Sequence, residues 1–368
     1  MADYAVANLP HNPGRLTQAT RAWELAMCFV ARLLPSPLFG RIATVLLIAM
    51  VFGHLADSVP ALAAEAPAQQ PVIIDTDIGD DIDDAFAVGL ALASPELKIL
   101  GITSAWGDTA LRARLLDRLL CDTGRSDIPV AVGIEKHAPG EAMFSQARWA
   151  ARQAEKAHPA AVDFLLEQIR QHPGEITLIG IAPLTNLAAA IERDPATFKK
   201  LKRIVIMGGS IHRGYGDAYA PNPHPDAEYN IARDVAAARA VFNAGVPLTM
   251  MPLDATQLKL DEVKRQQLFT ESTNVTGDLA LLYLQWAEGF RQQTPILYDD
   301  VAVAYAIDPA MCPASPMRIE VDDKGFTRAA SGAANSSVCL RSDSDRFFDF
   351  YMPRLMQQKL AGACVKSP

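Results

Sequence analysis

The sequence predicts an α/β fold: a single domain on an open, mainly parallel β-sheet with helices on both faces. Three observations point to it. Half of the 368 residues are hydrophobic, enough to bury a large core. Short apolar, β-branched runs recur along the chain and alternate with longer stretches of helix-like pattern. The runs are apolar on both faces, as they are in sheets whose strands are joined by crossover helices.

In chain order the first segment is a leader. Arg15, Arg21, Arg32 and Arg41 precede an apolar run over 42–53, and Ala61-Leu-Ala-Ala64 follows. A basic, an apolar and a small-residue part in that order make a secretory signal peptide, with cleavage expected near Ala63. The apolar run is shorter than the ~20 residues that span a bilayer. Residues 1–63 therefore predict export, periplasmic or secreted, with an uncleaved inner-membrane anchor as the alternative. Residues 64–71 read as an exposed linker. The domain follows over 72–360. Strands are expected at 72–75, 99–104, 129–132, 176–181, 204–207 and 248–253, and helices at 84–93, 109–121, 160–170, 184–192, 235–243 and 276–291. Runs at 317–321 and 337–340 read as late strands in a small peripheral β-hairpin. Beyond the leader stand Cys121, Cys312, Cys339 and Cys364. Cys312 and Cys339 flank the late strands and could pair, or could stay free buried thiols; spacing does not decide.

The net charge of −8 argues against nucleic acid as a partner, which needs clustered Lys and Arg. A small molecule fits better, and a membrane enters only if the leader stays attached.

The chemistry centres on six aspartates within ten residues: Asp75, Asp77, Asp80, Asp81, Asp83 and Asp84, directly after the first strand. Carboxylates this close raise one another's pKa, so a cation or hydrogen-bond donors must offset them. Oxygen-only donors suit calcium or magnesium. The twelfth position from Asp75 or Asp77 is Phe86 or Val88, where an EF-hand needs Glu, so that loop is excluded. A solvated acidic loop is the bland alternative, and Asp83 and Asp84 would in any case suit a helix N-terminus. A dehalogenase-like phosphatase also opens with Asp-x-Asp, but Gly79 stands where its motif continues with Thr or Val. Gly208-Gly209 lacks a following Gly-Lys-Ser/Thr and reads as a tight strand exit at the pocket, not a phosphate loop.

The run 75–85, Asp-Thr-Asp-Ile-Gly-Asp-Asp-Ile-Asp-Asp-Ala, resembles the amino-terminal signature of the inosine–uridine preferring nucleoside hydrolase family. Gly101-Ile-Thr-Ser-Ala-Trp-Gly-Asp108, Ile181-Ala-Pro-Leu-Thr-Asn-Leu187, Ile206-Met-Gly-Gly209, the stretch from Asn222 to Asn230 and Asp299-Asp-Val-Ala-Val-Ala-Tyr305 match in the family's order. The resemblance implies calcium-dependent hydrolysis of the N-glycosidic bond of a nucleoside or similar N-riboside to ribose and free base. It makes Asp77 a calcium ligand and the general base, with Asp75 orienting it. It makes Asp84 the bidentate ligand, Asp299 the distant carboxylate ligand and the Ile181 carbonyl the remaining protein ligand. Asp83 would hold the ribose 2′-hydroxyl, and Asn222, Glu228 and Asn230 the other hydroxyls. Trp106, Asp108, Met207 and Tyr298 complete the implied substrate-binding set. Such residues suit a reaction through an oxocarbenium-like centre, where carboxylates stabilise developing positive charge and a divalent ion acidifies a water.

Duller readings stand beside these. Asn222 could shape a turn, Glu228 and Asn230 could be surface polars, Asp299 could cap the next helix, and Trp106 could be core packing instead of a stacking surface. The aspartate loop is two residues longer than the simplest family motif, which leaves Asp80 and Asp81 without assigned roles. Tyr298 stands where many relatives carry a histidine that protonates the leaving base, and a phenol with a pKa near ~10 is a poorer acid. His212 or His224 could supply that proton. A binding protein that holds a ribosyl ligand and calcium without turnover is the second hypothesis, and a phosphatase the third. Family members are commonly dimers or tetramers, so a homodimer or homotetramer is expected.

Overall fold

A computed structural model of the protein describes residues 69–137, 144–217, 220–271 and 273–358. The expected leader at 1–63 lies outside the described residues. The first strand, β1 (Gln70–Thr76), starts inside what the sequence reads as linker, because Gln70 already pairs with Leu97. Its alternation explains why helices cover both faces. Val72 and Ile74 point into one apolar layer with Phe86, Leu115 and Trp286, while Ile73 points into a second with Leu165, Leu178 and Phe198.

The other strands are β2 (Leu97–Ser104), β3 (Val130–Ala131), β4 (Thr177–Ile181), β5 (Arg203–Met207), β6 (Gly214–Asp217), β7 (Ala220–Asn222), β8 (Leu248–Met251), β9 (Ser315–Val321), β10 (Thr327–Ala330) and β11 (Ser336–Val338). Nine of them form one sheet in the order β10, β9, β11, β8, β5, β4, β1, β2, β3. From β3 across to β11 every neighbouring pair is parallel. The chain steps from β1 to β2 and β3 on one side, then returns to lay β4 on the other. That reversal opens a crevice at the carboxyl ends of β1 and β4, the place where open α/β sheets bind ligands.

The helices of eight residues or more are α1 (Asp83–Leu92), α2 (Thr109–Asp122), α3 (Ala161–Gln171), α4 (Thr185–Arg193), α5 (Val235–Phe242), α6 (Glu262–Thr270), α7 (Asn274–Phe290), α8 (Asp300–Ile307) and α9 (Ser344–Gln357). All ten residues of α1 are buried, which fits its run of Ala, Val, Leu and Phe. No helix among the described residues is long and apolar enough to cross a membrane.

The late strands differ from expectation. β9 and β11 do pair antiparallel, but β11 also pairs in parallel with β8, so they extend the main sheet instead of standing apart. The separate hairpin is β6–β7, whose glycine- and proline-containing strands carry no apolar alternation to announce it.

Cys312 and Cys339 form a disulfide across a sequence separation of 27. It ties the segment after α8 to the residue following β11, where Cys339 N–H donates to Met250 O at 3.1 Å. Closing a loop of that length is worth about 3–4 kcal/mol on the chain-entropy estimate. The Cys312→Ser/Cys339→Ser double variant is expected to lose roughly that much in urea unfolding. An unchanged midpoint would contradict a stabilising role.

Candidate active site

The acidic loop leaves β1 at Thr76 and enters α1 at Asp83. Its path is fixed from outside. Arg112, reaching from α2, donates to the carbonyls of Asp77 and Ile78, the latter at 2.9 Å, and through Nε to the Trp106 carbonyl at 2.8 Å. Gln146 N–H donates to Gly79 O at 3.0 Å, Ser145 Oγ to Asp80 O at 2.8 Å and Gln146 Nε2 to Asp81 O at 3.1 Å. Gly79 has φ +122°, and a Cβ there would lie 2.8 Å from the Phe144 ring. A side chain would therefore meet both backbone strain and a clash. Gly79→Ala is expected to cost about 2 kcal/mol or more of stability, read as a lower midpoint in thermal unfolding. A variant with wild-type stability would show that the turn is not constrained.

The loop shapes a cavity of about 260 Å³ lined by Asp77, Asp80, Asp81, Asp83, Asp84, Asp299 and Glu228, with Ile181, Met207, Tyr215, Tyr229, Asn230, Phe290 and Tyr298. Seven carboxylates face it, and no Lys, Arg or His among the described residues lines it. Single ligand oxygens of Asp83, Asp84 and Asp299 lie within 4.8 Å of one another, and all three residues are at least 95% buried. Asp299 comes from far down the chain, at the start of α8, and makes no capping hydrogen bond, so capping does not account for it.

Burial, reinforced by neighbouring carboxylates, holds Asp83, Asp84 and Asp299 well above the usual carboxylate range. Asp77 is pushed up to about 7 by burial, although Arg112 pulls the other way. Asp81 rises to about 6 for the same reason of burial. Asp300, wholly buried behind Asp299, adds to the field on Asp83 and Asp299. A divalent cation fits this cluster: oxygen donors converge, nothing basic lines the cavity, and the carboxylates can all ionise only when positive charge arrives.

Asp75 stands behind the cavity wall. Its Oδ1 accepts from Thr103 Oγ1 and, at 2.8 Å, from Asn186 Nδ2, while Oδ2 is buried without a hydrogen-bond partner. Burial raises it to about 7. Thr76 Oγ1 donates to Asp84, fixing that carboxylate from the end of β1.

Glu228 enters between β5 and the short helix Tyr229–Ala232, which it caps. Its Oε2 accepts from Gly209 N at 2.8 Å and Ile231 N at 3.2 Å; its Oε1 accepts from Asn230 N at 2.9 Å and Tyr215 Oη at 3.4 Å. Burial nevertheless lifts it to about 7. Gly209 has φ +83°, and a Cβ there would fall 2.2 Å from Met250, so the paired glycines are indeed a tight strand exit. Asn230 Nδ2 donates to Met207 O at 3.2 Å, joining two cavity residues.

Three expected substrate residues fall elsewhere. Asn222, on β7, gives its amide to Asp226 at 3.1 Å and accepts from His224 N at 3.0 Å, the turn-shaping role. Asp108 is exposed and caps α2, accepting from Leu111 N at 2.9 Å, and it lines a separate depression with Arg114 and His158. Trp106 is 2% exposed and buried as packing, at φ +57°, away from the cavity lining. His212 and His224 are exposed and do not line the cavity. Tyr298 does line it, edge-on to Tyr215 with ring centroids 6.0 Å apart, and burial followed by Asp81, Asp83 and Glu228 pushes its hydroxyl above the ordinary phenol value. Tyr215 and Phe290 were not signalled by any motif; only the folded hairpin and the end of α7 bring them to the mouth, where Tyr229, inside the matched stretch from Asn222 to Asn230, joins them. Arg112 and Asn186 act through buried carbonyls and Asp75; no local spacing marks Arg112, and Asn186, though inside the matched stretch Ile181–Leu187, does not show its role there.

The sequence model of the inosine–uridine preferring nucleoside hydrolase family matches residues 72–349. Uridine nucleosidase 1 of Arabidopsis thaliana is 33% identical over 234 residues, 59% of this chain and 67% of that protein. The pyrimidine-specific ribonucleoside hydrolase RihB of Escherichia coli (strain SE11) is 31% identical over 278 residues, 69% of this chain and 83% of its own. Among solved structures, the plant nucleoside hydrolase PpNRh1 superposes with a TM-score of 0.68 at 26% identity, covering 78% of this chain and 99% of that one.

Proposed function

Because the chain belongs to the inosine–uridine preferring nucleoside hydrolase family, whose members are N-ribosyl hydrolases, we propose that it hydrolyses ribonucleosides to ribose and free base with calcium as its ion. The observation that carries this is the convergence of Asp83 and Asp84, at the start of α1, with Asp299, at the start of α8, on one buried point beside Asp77. Asp84 and Asp299 would hold the ion, with Asp77 and the Ile181 carbonyl as the further donors the sequence implies. When bound, such an ion polarises water and binds diol oxygens.

The chain's own residues have definable tasks. Asp77 accepts the proton of the attacking water, and the positive charge of a bound ion would keep its buried carboxylate ionised to do so. Asp75, held by Thr103 and Asn186, orients Asp77 from behind. Asp83 and Asn230 face the ribose hydroxyls. Glu228, already engaged by four donors, steadies the strand exit that carries Met207 as much as it meets substrate. The surrounding carboxylates stabilise the positive charge that develops as the bond to the base breaks. With Tyr298 in place of an imidazole, base departure leans on that stabilisation more than on protonation. Tyr215, Tyr298 and Phe290 supply aromatic surface for the base. The disulfide supports export, since such bonds persist in oxidising compartments.

Purified protein is to be assayed for reducing sugar with inosine, uridine and ribose controls alongside calorimetry. Ribose release supports the hydrolase. Binding without release would replace it with a non-catalytic ribosyl-binding protein on the same fold.

A further inference from the structure

The candidate cavity holds more acid than one divalent ion can answer. Seven carboxyls line it, and no Lys, Arg or His among the described residues does. Asp77, Asp84 and Asp299 are assigned to the ion and Asp83 to the ribose, while Glu228 is met by three backbone N–H groups. Asp80 and Asp81 remain, half-buried where the others are deep. Their backbone carbonyls are held by Ser145 and Gln146, so a fixed loop presents both side chains. The Asp81 carboxyl accepts from Ile82 N–H at 2.7 Å, and its charge reaches the Tyr298 hydroxyl.

Aromatic rings line the same cavity. Tyr298 and Tyr215 meet edge to face with centroids 6.0 Å apart, and Phe290 joins them from the end of α7. Tyr215 is 39% exposed and Phe290 40%, and they are the two aromatic residues among the exposed large hydrophobic side chains of the described surface. Aromatic rings beside carboxylates are the chemistry that recognises an organic cation, whereas a neutral base needs only the rings. The leaving step points the same way. A neutral base departs most readily once a proton reaches it, yet no imidazole or ammonium of the described residues lines the cavity, and the Tyr298 phenol is a poor acid. A base already positive at its glycosidic nitrogen needs no proton.

Taking the N-riboside hydrolase reading as given, we infer that this site prefers a cationic N-riboside, one whose base is positively charged at the nitrogen bonded to ribose, as in a pyridinium riboside. Asp81 is the carboxylate on the base side, and Tyr215, Tyr298 and Phe290 supply the ring contacts. In the reaction the C1′–N bond breaks with its electron pair passing to the ring nitrogen, so the base leaves neutral. The oxygen of water bonds to C1′, and its proton passes to Asp77 and then to solvent. Water and the riboside cation thus give ribose, neutral base and one proton, with no redox partner. The positive charge moves from base to ribosyl carbon without leaving the field of the carboxyls.

The test compares a pyridinium-3-carboxamide riboside with uridine on purified, calcium-loaded protein, in wild type and Asp81→Asn. Asparagine keeps the acceptor for Ile82 N–H and removes the charge. Wild type is expected to favour the cation in kcat/KM, and Asp81→Asn to lower the cation-to-uridine ratio about tenfold, chiefly through KM. The intrinsic lability of the pyridinium bond is the same for both proteins and cancels from that change. Uridine preferred by wild type, or a ratio unmoved by Asp81→Asn, would overturn the inference while ribose release from uridine leaves the hydrolase reading intact. If neither riboside releases ribose, the hydrolase reading fails and calorimetric binding of the same two ribosides decides. Tighter binding of the cation then supports charge recognition, and equal or weaker binding overturns it.

Discussion

Replacing Asp77 with alanine is expected to lower ribose release by on the order of 10³-fold or more while circular dichroism stays unchanged. The two halves of that expectation have separate causes. The loop around Asp77 is held by its backbone: Arg112 grips the carbonyls of Asp77 and Ile78, and Gln146 and Ser145 hold those of Gly79, Asp80 and Asp81. Deleting a carboxylate leaves these bonds intact and removes repulsion, so the fold survives. The side chain, however, is the cavity carboxylate whose neighbour Asp75 is itself pinned by Thr103 and Asn186. Asp84→Ala or Asp299→Ala should behave differently and lose calcium affinity first, which a calcium titration separates from a loss of turnover at saturating metal. Normal turnover by purified Asp77→Ala would remove the assigned base.

Stripping the protein with chelator is expected to lower its melting temperature, and to do so more at pH 8 than at pH 5. Asp75 and Asp77 titrate near 7 in the metal-free fold against 3.8 as ordinary carboxyls. Between those values the folded state holds protons that the unfolded state has released, so stability falls as pH rises from about 4 through 7 and stays low above. Ionising one carboxyl held near 7 costs about 4 kcal/mol, and Asp83, Asp84 and Asp299 are displaced in the same direction. A cation supplies the positive charge that protons supply at low pH. The stripped protein should therefore melt roughly 5 °C or more lower at pH 8 than at pH 5, and calcium should erase most of the difference. A stripped protein most stable at pH 8 would show that the carboxylates are compensated by something other than a cation.

The sheet was legible in the sequence wherever strands are buried on both faces, because Val72-Ile-Ile, Ile204-Val-Ile and their counterparts leave only one reading. Strands without that pattern were not: β6, β7 and β10 are short, partly exposed and rich in small or polar residues. The acidic loop was legible because carboxylates in such numbers need a reason, whereas the distant Asp299 was reached only through the family resemblance. Asn222, Asp108 and Trp106 were read toward substrate, yet each spends its polar or apolar surface locally, on Asp226, on the start of α2 and on packing. Sequence order says which segments approach a site but not which way a loop residue turns. Arg112 and Asn186 illustrate the converse, since their value lies in partners 34 and 111 residues away that only the fold brings near.

The most direct measurement is ribose release from inosine and uridine by chelator-stripped protein, before and after calcium is returned. Turnover should fall by about 100-fold or more without the ion and recover on its addition. Undiminished release in excess chelator would contradict the claim that carboxylates from both ends of the domain act by gathering a divalent cation at the ribose.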